Sequence, residues 1–350
     1  MLKQQPFLPL FQKFINDSSN GKRLNKNGTR IKPQSVDNYR YAYKLLEEFV
    51  AVKKFDLVIH EVKGNNKREH TTLKSYWKKF YKQFTNFLHH DKGCFDNYTG
   101  QTIKQIRTFF NWLNTELGIC TGPFHKSFYV QKEDVPIITI SVEQLQFLIY
   151  DSPFEHSLSA ALQRSKDLFV FGCTVGLRFS DLSKLKKQNI EIRDGNTYLK
   201  VRSQKTATDT MVKLPPHAIA VLDKYKKLKT GLLPSLSLFR FNANLKKMAE
   251  LAGWVQPVSK FRTVRGIGIQ QKHSSPTRFC DCLSSHTMRR TSITTMLTSG
   301  MPEHVVRKIS GHTNDSKAFF RYVNLAQSLM DVEIDKMHSR FNSPAAAAIA

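Results

Sequence analysis

Apolar residues that recur every three or four positions are the strongest constraint on the fold of this chain. Over the first 120 residues they form stripes of helical period, the last of which stops at Gly118. A shorter helix is predicted from Phe7 to Ile15. Because such a stripe buries one face of a helix, this part of the chain is predicted to be a helical domain. The stripes are Val36, Tyr39, Tyr43, Leu46, Phe49 and Val50; Leu73, Trp77, Phe80, Phe84 and Leu88; and Ile103, Ile106, Phe110, Leu113 and Leu117.

The helical period fails between Gly118 and Pro136, where Gly122-Pro123 and Val135-Pro136 interrupt the chain. An interruption of this kind between two regular stretches is typical of a domain boundary. We therefore predict a helical domain over residues 1–120, a linker over 121–138, a second domain over 139–330 and a tail over 331–350.

The second domain combines helices with a short hairpin. Ser141 and Gln144 have the spacing of a capping box at a helix start, and residues 168–173 are apolar enough for a core helix. Leu199 and Val201 alternate as on a strand, Val212 and Leu214 do the same, and the polar stretch 203–209 connects them. The predicted fold is mainly α with a small β-sheet: a helical domain followed by an α+β domain.

The chain carries a large excess of positive charge. Its 54 Lys and Arg residues face 28 acidic ones, which gives a formal net charge of +26 and a pI near 9.9. Lys and Arg that neutralise phosphates release bound counterions, so nucleic acid is the favoured partner. A membrane surface is disfavoured because no apolar run of about 18 residues exists.

Other sequence features bear on the cellular compartment and on cofactors. The start Met-Leu-Lys-Gln-Gln lacks the apolar core of an export signal, so a cytoplasmic, nucleoid-associated bacterial protein is expected. The scattered cysteines, with Cys280 and Cys282 too close together, do not form a tetrahedral metal pattern. No metal or other cofactor is expected. The alanine-rich segment from Pro344 is of low complexity and carries no functional prediction.

Lysine rows on two predicted helices are candidates for contact with the DNA backbone. Lys74, Lys78 and Lys82 follow each other at intervals of four residues, and Lys104 with Arg107 forms a similar pair on the next helix. An ordinary solvated helix surface has the same pattern. Only the total charge of the chain favours the DNA interpretation.

Unusual polar residues occur at the ends of elements in the second domain. Arg178 directly follows an apolar helix, and its guanidinium needs an anionic partner near a core. His286 and Arg289 share one helical face, and Gly311 ends a short helix so that His312 projects from its C-terminus. Lys205 lies near the hairpin tip, where a solvated turn lysine is the ordinary alternative.

Tyr322 lies on the edge of the last apolar stripe, which contains Phe319, Val323 and Ala326. Taken alone, a tyrosine in this position is a half-buried packing residue. Its significance comes from the residues that precede it in the chain.

In this order, these residues resemble the tyrosine recombinase, or phage integrase, family, in the style of integrases from bacterial mobile elements. The motifs that carry the resemblance are Gly-Leu-Arg178-Phe-Ser-Asp181-Leu, a lysine in a hairpin, His286-x-x-Arg289, Gly311-His312 and the following Tyr322. The resemblance covers about residues 141–330, and the first domain is similar to the family's core-binding domain. From His312 to Tyr322 is ten residues, one more than in many relatives.

The resemblance implies a role for each residue. Arg178 and Arg289 would hold the nonbridging oxygens of the scissile phosphate, and His312 would add a third donor. His286 would assist or accept the tyrosine proton, and Lys205 would protonate the departing 5′-oxygen, although Lys200 and Lys213 lie on the same hairpin. Tyr322 would attack phosphorus to form a 3′-phosphotyrosyl link, with Asp181 orienting the site.

The resemblance also implies partners and leaves alternatives open. It implies four protomers on two DNA duplexes, with the tail packed on a neighbour, and accessory DNA-bending or directionality proteins. The reaction would need no metal or ATP and would serve integration, excision or inversion of a mobile element. A type IB topoisomerase-like enzyme is one alternative. A non-catalytic DNA-binding protein with a helix-turn-helix over 292–312 is another.

Overall fold

The computed structural model describes residues 3–62, 67–202, 209–259, 262–269, 277–313 and 316–341. The chain divides into two compact units, one of residues 1–135 with 260–272 and the other of residues 136–259 with 273–350. The prediction of a mainly helical chain with a small β-sheet is confirmed.

The first unit consists of helices whose apolar stripes face a shared aromatic core. Phe7 packs against Phe109, and Trp77 meets Phe110 edge to face, with both ring pairs 4.9 Å apart. The antiparallel strands β1 (Lys3–Pro6) and β2 (Val58–Glu61) pair beside them. The predicted helices are confirmed, with longer bounds: α1 Phe7–Asn20, α2 Pro33–Lys53, α3 Lys67–Asn86 and α4 Asp96–Thr115.

The segment predicted as a linker contributes to this core. Phe124 and Phe128 are buried among the rings of the helices, and residues 124–127 form a short 3₁₀ turn. A single turn followed by extended chain has no helical period, so the pattern that identified the helices did not detect its packing. The first unit therefore extends to Val135.

A short hairpin from later in the chain also belongs to the first unit. Strands β6 (Arg262–Val264) and β7 (Ile267–Ile269) pair antiparallel. The buried carboxylate of Asp96 accepts hydrogen bonds from the backbone N–H groups of Arg265 and Gly266, at 2.7 and 2.8 Å. Glu133 accepts from the N–H of Thr263 at 2.7 Å. These bonds tie the hairpin to residues more than a hundred positions earlier.

The second unit surrounds its core with helices and one three-stranded antiparallel sheet. The strands β3 (Ile190–Arg193), β4 (Asn196–Arg202) and β5 (Asp209–Lys213) lie in that order, and in the hairpin of β4 and β5 Leu199 pairs with Val212. The capping box of Ser141 and Gln144 is formed. Helix α14 runs through much of the predicted tail to Phe341. The bounds are α5 Val142–Tyr150, α6 Ser152–Ser157, α7 Ala160–Val175, α8 Phe179–Leu182, β3 Ile190–Arg193, β4 Asn196–Arg202, β5 Asp209–Lys213, α9 Pro216–Lys224, α10 Leu238–Leu251, α11 Phe279–Cys282, α12 Ser285–Thr298, α13 Glu303–Ser310 and α14 Lys317–Phe341.

Candidate active site

Arg178 lies where the central helix α7 ends. This helix is buried along most of its length, and it ends at Gly176, which has a φ of 66°. Leu177 turns inward, and Arg178 then precedes the short helix α8. Arg178 is half-buried, and Asp181 on α8 is buried beneath the same turn. The C-terminal end of the apolar helix α7 thus positions the cation of Arg178 and the carboxylate of Asp181.

Arg289 is placed by the close packing of α12 against α7. A Cβ atom at Gly172 would come within 2.3 Å of the Met288 sulfur, so only glycine allows this approach without displacing Met288. Arg289, the next residue, is 3% exposed and donates from Nη1 to the carbonyl oxygen of Gly176 at 2.9 Å. His286 lies one turn earlier on α12 and is exposed.

His312 follows the C-terminus of α13. Gly311 ends this helix with a φ of 62°, in the left-handed region that favours glycine. The imidazole Nε2 of His312 lies 3.2 Å from Nη2 of Arg289, and its Nδ1 lies 2.8 Å from the hydroxyl of Ser310. Arg289 of α12 and His312, which follows α13, are therefore in direct contact.

Tyr322 lies on the second turn of α14, half-buried beside His312. The two ring centroids are 6.0 Å apart, and the buried Phe319 packs its ring against both, at 5.3 Å from His312 and 6.3 Å from Tyr322. Arg307 of α13 places its guanidinium 4.0 Å above the Phe319 ring and donates to Glu303 at 3.3 Å. This stacking fixes the first turn of α14, and with it the position of Tyr322.

The electrostatics of the site depend on Arg289. Burial, and secondly repulsion from Arg178, lower the pKa of Arg289 to about 10, while electrostatic interactions with Tyr322 and Asp181 oppose this shift. In the part of the chain that the structure describes, Arg289 forms no salt bridge. A buried guanidinium in that situation is stabilised by an external anion.

The structure brings most of the predicted site residues together but leaves one undescribed. Arg178, Asp181, Arg289, His312 and Tyr322 interact around one point of the second unit. Lys205 lies outside the described residues, and only the strands β4 and β5 that flank it are described.

The predicted DNA-contacting residues lie on the first unit. Lys74, Lys78 and Lys82 form an exposed row on α3, and Lys104 is exposed on α4. Among the described residues, none of these lysines takes part in a salt bridge. Arg107 differs from them, because it is half-buried and donates to the carbonyl oxygen of Phe128 at 3.5 Å. This contact gives Arg107 a structural role within the first unit.

Sequence reasoning missed two residues that touch the site, Ser310 and Arg307. Each is buried, although a serine at a helix end and an arginine followed by a lysine resemble surface residues. The one available signal was their position on the last turn of the helix that precedes the Gly311-His312 pair.

Metal clusters and membrane-spanning helices are both absent from the part of the chain that the structure describes. Among the described residues, no group of three or more His, Cys, Asp or Glu side chains is arranged to hold a metal ion. No described helix is long and apolar enough to cross a membrane.

Comparison with known proteins identifies the family. Residues 153–328, just over half of the 350-residue chain, match the model of the phage integrase family. The tyrosine recombinase XerD of Chlorobaculum tepidum is 24% identical over 229 residues, which cover 64% of this chain and 70% of XerD. The tyrosine recombinase XerC of Natranaerobius thermophilus is 24% identical over 304 residues, which cover 80% of this chain and 96% of XerC.

Solved structures show the same fold. A lambda integrase dimer bound to a COC′ core site matches with a TM-score of 0.60 at 14% identity, covering 91% of this chain and 77% of that one. The XerH recombinase bound to a difH substrate matches with a TM-score of 0.58 at 11% identity. The match covers 96% of this chain and 85% of the XerH chain. The chain belongs to the phage integrase family and is a tyrosine recombinase, an enzyme that cuts and rejoins DNA strands at specific sites.

Proposed function

We propose that this recombinase integrates, excises or inverts a bacterial mobile element through a 3′-phosphotyrosyl intermediate formed by Tyr322. The observation that carries the proposal is the state of Arg289. It is a buried guanidinium beside Arg178 and His312, without a salt bridge among the described residues, and the Tyr322 ring lies next to His312. A DNA phosphodiester supplies the anion that this group needs.

The residues divide the chemistry between them. Arg178 and Arg289 hold the nonbridging oxygens and stabilise the added charge of the pentacoordinate transition state, with His312 as a further donor. The Tyr322 oxygen bonds to phosphorus, its proton passes to His286 or His312, and the bond from phosphorus to the 5′-oxygen breaks. Lys205 protonates that oxygen. The phosphotyrosyl link conserves the phosphodiester bond energy, so religation needs no ATP or other cofactor.

Double-stranded DNA is the proposed partner of both units. The formal net charge of +26 favours a polyanion, and the lysine row of α3 offers cations spaced along one helix face. The Tn1549 transposon integrase, which matches with a TM-score of 0.56, was solved with a circular intermediate DNA. The proposed substrate of this chain is likewise a mobile element, in the cytoplasm. Accessory DNA-bending or directionality proteins would select between integration, excision and inversion.

We propose that four protomers assemble on two duplexes through the end of α14. This part of the helix exposes large apolar side chains, and a cavity of about 710 Å³ lies between it, residues 139–144 and α12. Exposed apolar surface of this kind marks a protein contact. Deleting the chain after Asn324 should abolish assembly and spare DNA binding; normal strand exchange by the truncated protein would contradict the assignment. The exposed residues are Leu329, Met330, Val332, Ile334 and Met337.

A covalent-complex assay tests the catalytic proposal. The substrate is a nicked duplex whose recognition sequence is selected from a random pool by binding to the protein. Wild type should become covalently attached to DNA, and Tyr322→Phe should not. Tyr150→Phe is the matched control, because Tyr150 lies in the same unit and is 73% exposed. If wild type forms no complex, or Tyr322→Phe still forms one, the proposal is wrong.

The same substrate separates the alternatives. A topoisomerase-like enzyme would form the complex but relax supercoils without exchanging strands. A non-catalytic DNA-binding protein would bind without forming it. Binding of wild type and of Tyr322→Phe should fall equally with added salt, since the lost hydroxyl contributes no charge.

A further inference from the structure

Building on this proposed function, we infer that Ser310 is a positioning residue, which sets the tautomer and orientation of the His312 imidazole. Ser310 is the last residue of α13 and is 2% exposed. Its Oγ lies 2.6 Å from the carbonyl oxygen of Val306 and 2.8 Å from Nδ1 of His312, with a longer 3.4 Å contact to the carbonyl of Arg307. One hydroxyl therefore contacts backbone oxygens and a catalytic side chain.

The proton count of Ser310 determines the direction of these bonds. A serine hydroxyl has one proton to donate, and a carbonyl oxygen can only accept. The 2.6 Å contact to Val306 takes the proton, so the lone pairs of Oγ must accept a hydrogen bond from His312. Nδ1 of His312 is thus the protonated ring nitrogen.

Arg289 contacts both ring nitrogens of His312 at nearly equal distances, so the contact with Ser310 is the one that distinguishes the tautomers. Its Nη2 lies 3.2 Å from Nε2 and 3.3 Å from Nδ1 of His312. Because Nδ1 carries a proton, the guanidinium can donate only to the lone pair of Nε2. The opposite tautomer would leave the lone pair of Nδ1 facing the oxygen of Ser310, whose only proton is donated to Val306, and the contact between Ser310 and His312 would then be repulsive.

Fixing the tautomer has a consequence for catalysis. Nε2 is the ring nitrogen that Ser310 leaves unoccupied, and it lies 3.2 Å from Arg289, where the phosphate is proposed to bind. In neutral His312 it can accept a proton, and once protonated it can donate to a phosphate oxygen. The backbone supports the same orientation, because the N–H of His312 donates to the carbonyl of Arg307 at 2.9 Å and Phe319 packs against the ring.

The tautomer can be measured without DNA. Ring nitrogen chemical shifts of ¹⁵N-histidine-labelled protein distinguish a protonated Nδ1 from a protonated Nε2, and the His312→Ala spectrum identifies the His312 signals. Neutral His312 should show a protonated Nδ1 in wild type, and Ser310→Ala should reduce that population. A protonated Nε2 in wild type would overturn the inference.

The catalytic consequence is tested by single-turnover cleavage of the nicked duplex. Ser310→Ala should slow covalent-complex formation about 10-fold, the equivalent of one hydrogen bond, with unchanged DNA affinity. Ser310→Thr, which retains the hydroxyl, should recover most of the rate. Ser292→Ala is the matched control, because Ser292 is 1% exposed in the same unit and its Oγ has no hydrogen-bond partner among the described residues.

A double variant separates positioning from a general structural effect. If Ser310 acts through His312, Ser310→Ala should have no further effect in the His312→Ala background. An undiminished effect there, or a wild-type rate for Ser310→Ala alone, would overturn the inference and leave the proposed function intact. Absence of a covalent complex with wild type would instead refute the proposed function, and the catalytic role of Ser310 with it.

Discussion

Replacing Arg289 by methionine should make the unliganded protein more stable and remove its activity. Burial and the charge of Arg178 lower the pKa of Arg289 from 12.5 to about 10. At about 1.4 kcal/mol per pKa unit, this corresponds to roughly 3 kcal/mol that the folded state loses by keeping Arg289 charged. Methionine keeps much of the apolar stem and removes the charge.

The variant also loses a hydrogen bond, which offsets part of the gain. The buried carbonyl of Gly176 accepts from Arg289 at 2.9 Å, and leaving it without that donor costs about 1–2 kcal/mol. The expected net effect is an increase of about 1–2 kcal/mol in the free energy of unfolding. Because the pKa of Arg289 is lower in the folded than in the unfolded state, its destabilising effect is complete below about pH 10 and fades as the pH rises to the unfolded value. The gain should therefore be constant from about pH 6 to 9.

Equilibrium unfolding in urea measures this gain. The slope of the unfolding free energy against urea concentration should be the same for wild type and variant. Arg290→Met is the matched control, since Arg290 is the next residue of α12 and is not fully buried. It should change the unfolding free energy by less than about 0.5 kcal/mol. Cleavage by Arg289→Met should fall about 1,000-fold. A loss of stability in Arg289→Met beyond that of the control would refute the electrostatic reasoning.

Three further predictions concern other parts of the protein. Lys205→Ala should cleave a normal phosphodiester slowly but a 5′-bridging phosphorothiolate at nearly the wild-type rate, because a thiolate leaves without a proton; Lys200→Ala and Lys213→Ala should show no such contrast. Replacing the α3 lysine row by alanines should lower the slope of log affinity against log salt by about 2–3, whereas the same charge change at Lys226, Lys227 and Lys229 should alter it less. Gly311→Ala should lower stability by about 1 kcal/mol and slow cleavage, and Gly311→Asn should do so less, because asparagine tolerates a positive φ; equal effects in thermal unfolding and cleavage would contradict this.

Helices and strands whose apolar residues recur at a regular interval could be predicted from the sequence. The stripes of α2, α3 and α4 were read correctly because each buries one face against neighbours in a common core. The hairpin was equally readable, since Leu199 and Val201 alternate and pair opposite Thr210 and Val212. In both cases the side chains that define the element also form its packing.

Contacts between distant residues could not be predicted in this way. The hairpin of residues 262–269 joins the first unit through the carboxylates of Asp96 and Glu133, which accept from its backbone N–H groups. Backbone donors leave no side-chain pattern in the sequence. In the candidate active site, the same limit applies to Gly176, whose carbonyl oxygen accepts a hydrogen bond from Arg289, and to Ser310, whose hydroxyl contacts His312.

Helix α12 gives the predicted site residues a common support. It packs against α7, α13 and α14, which carry or precede Arg178, His312 and Tyr322. Close packing of Met288 against Gly172 seats α12 on α7, and so sets how near Arg289 lies to Arg178. The charges of the two guanidinium groups repel each other, Asp181 offsets part of this repulsion, and an anion bound between them would offset more of it. A phosphate with two nonbridging oxygens can accept from both arginines at once, so the arrangement of the two arginines fits the phosphodiester that we propose as the ligand.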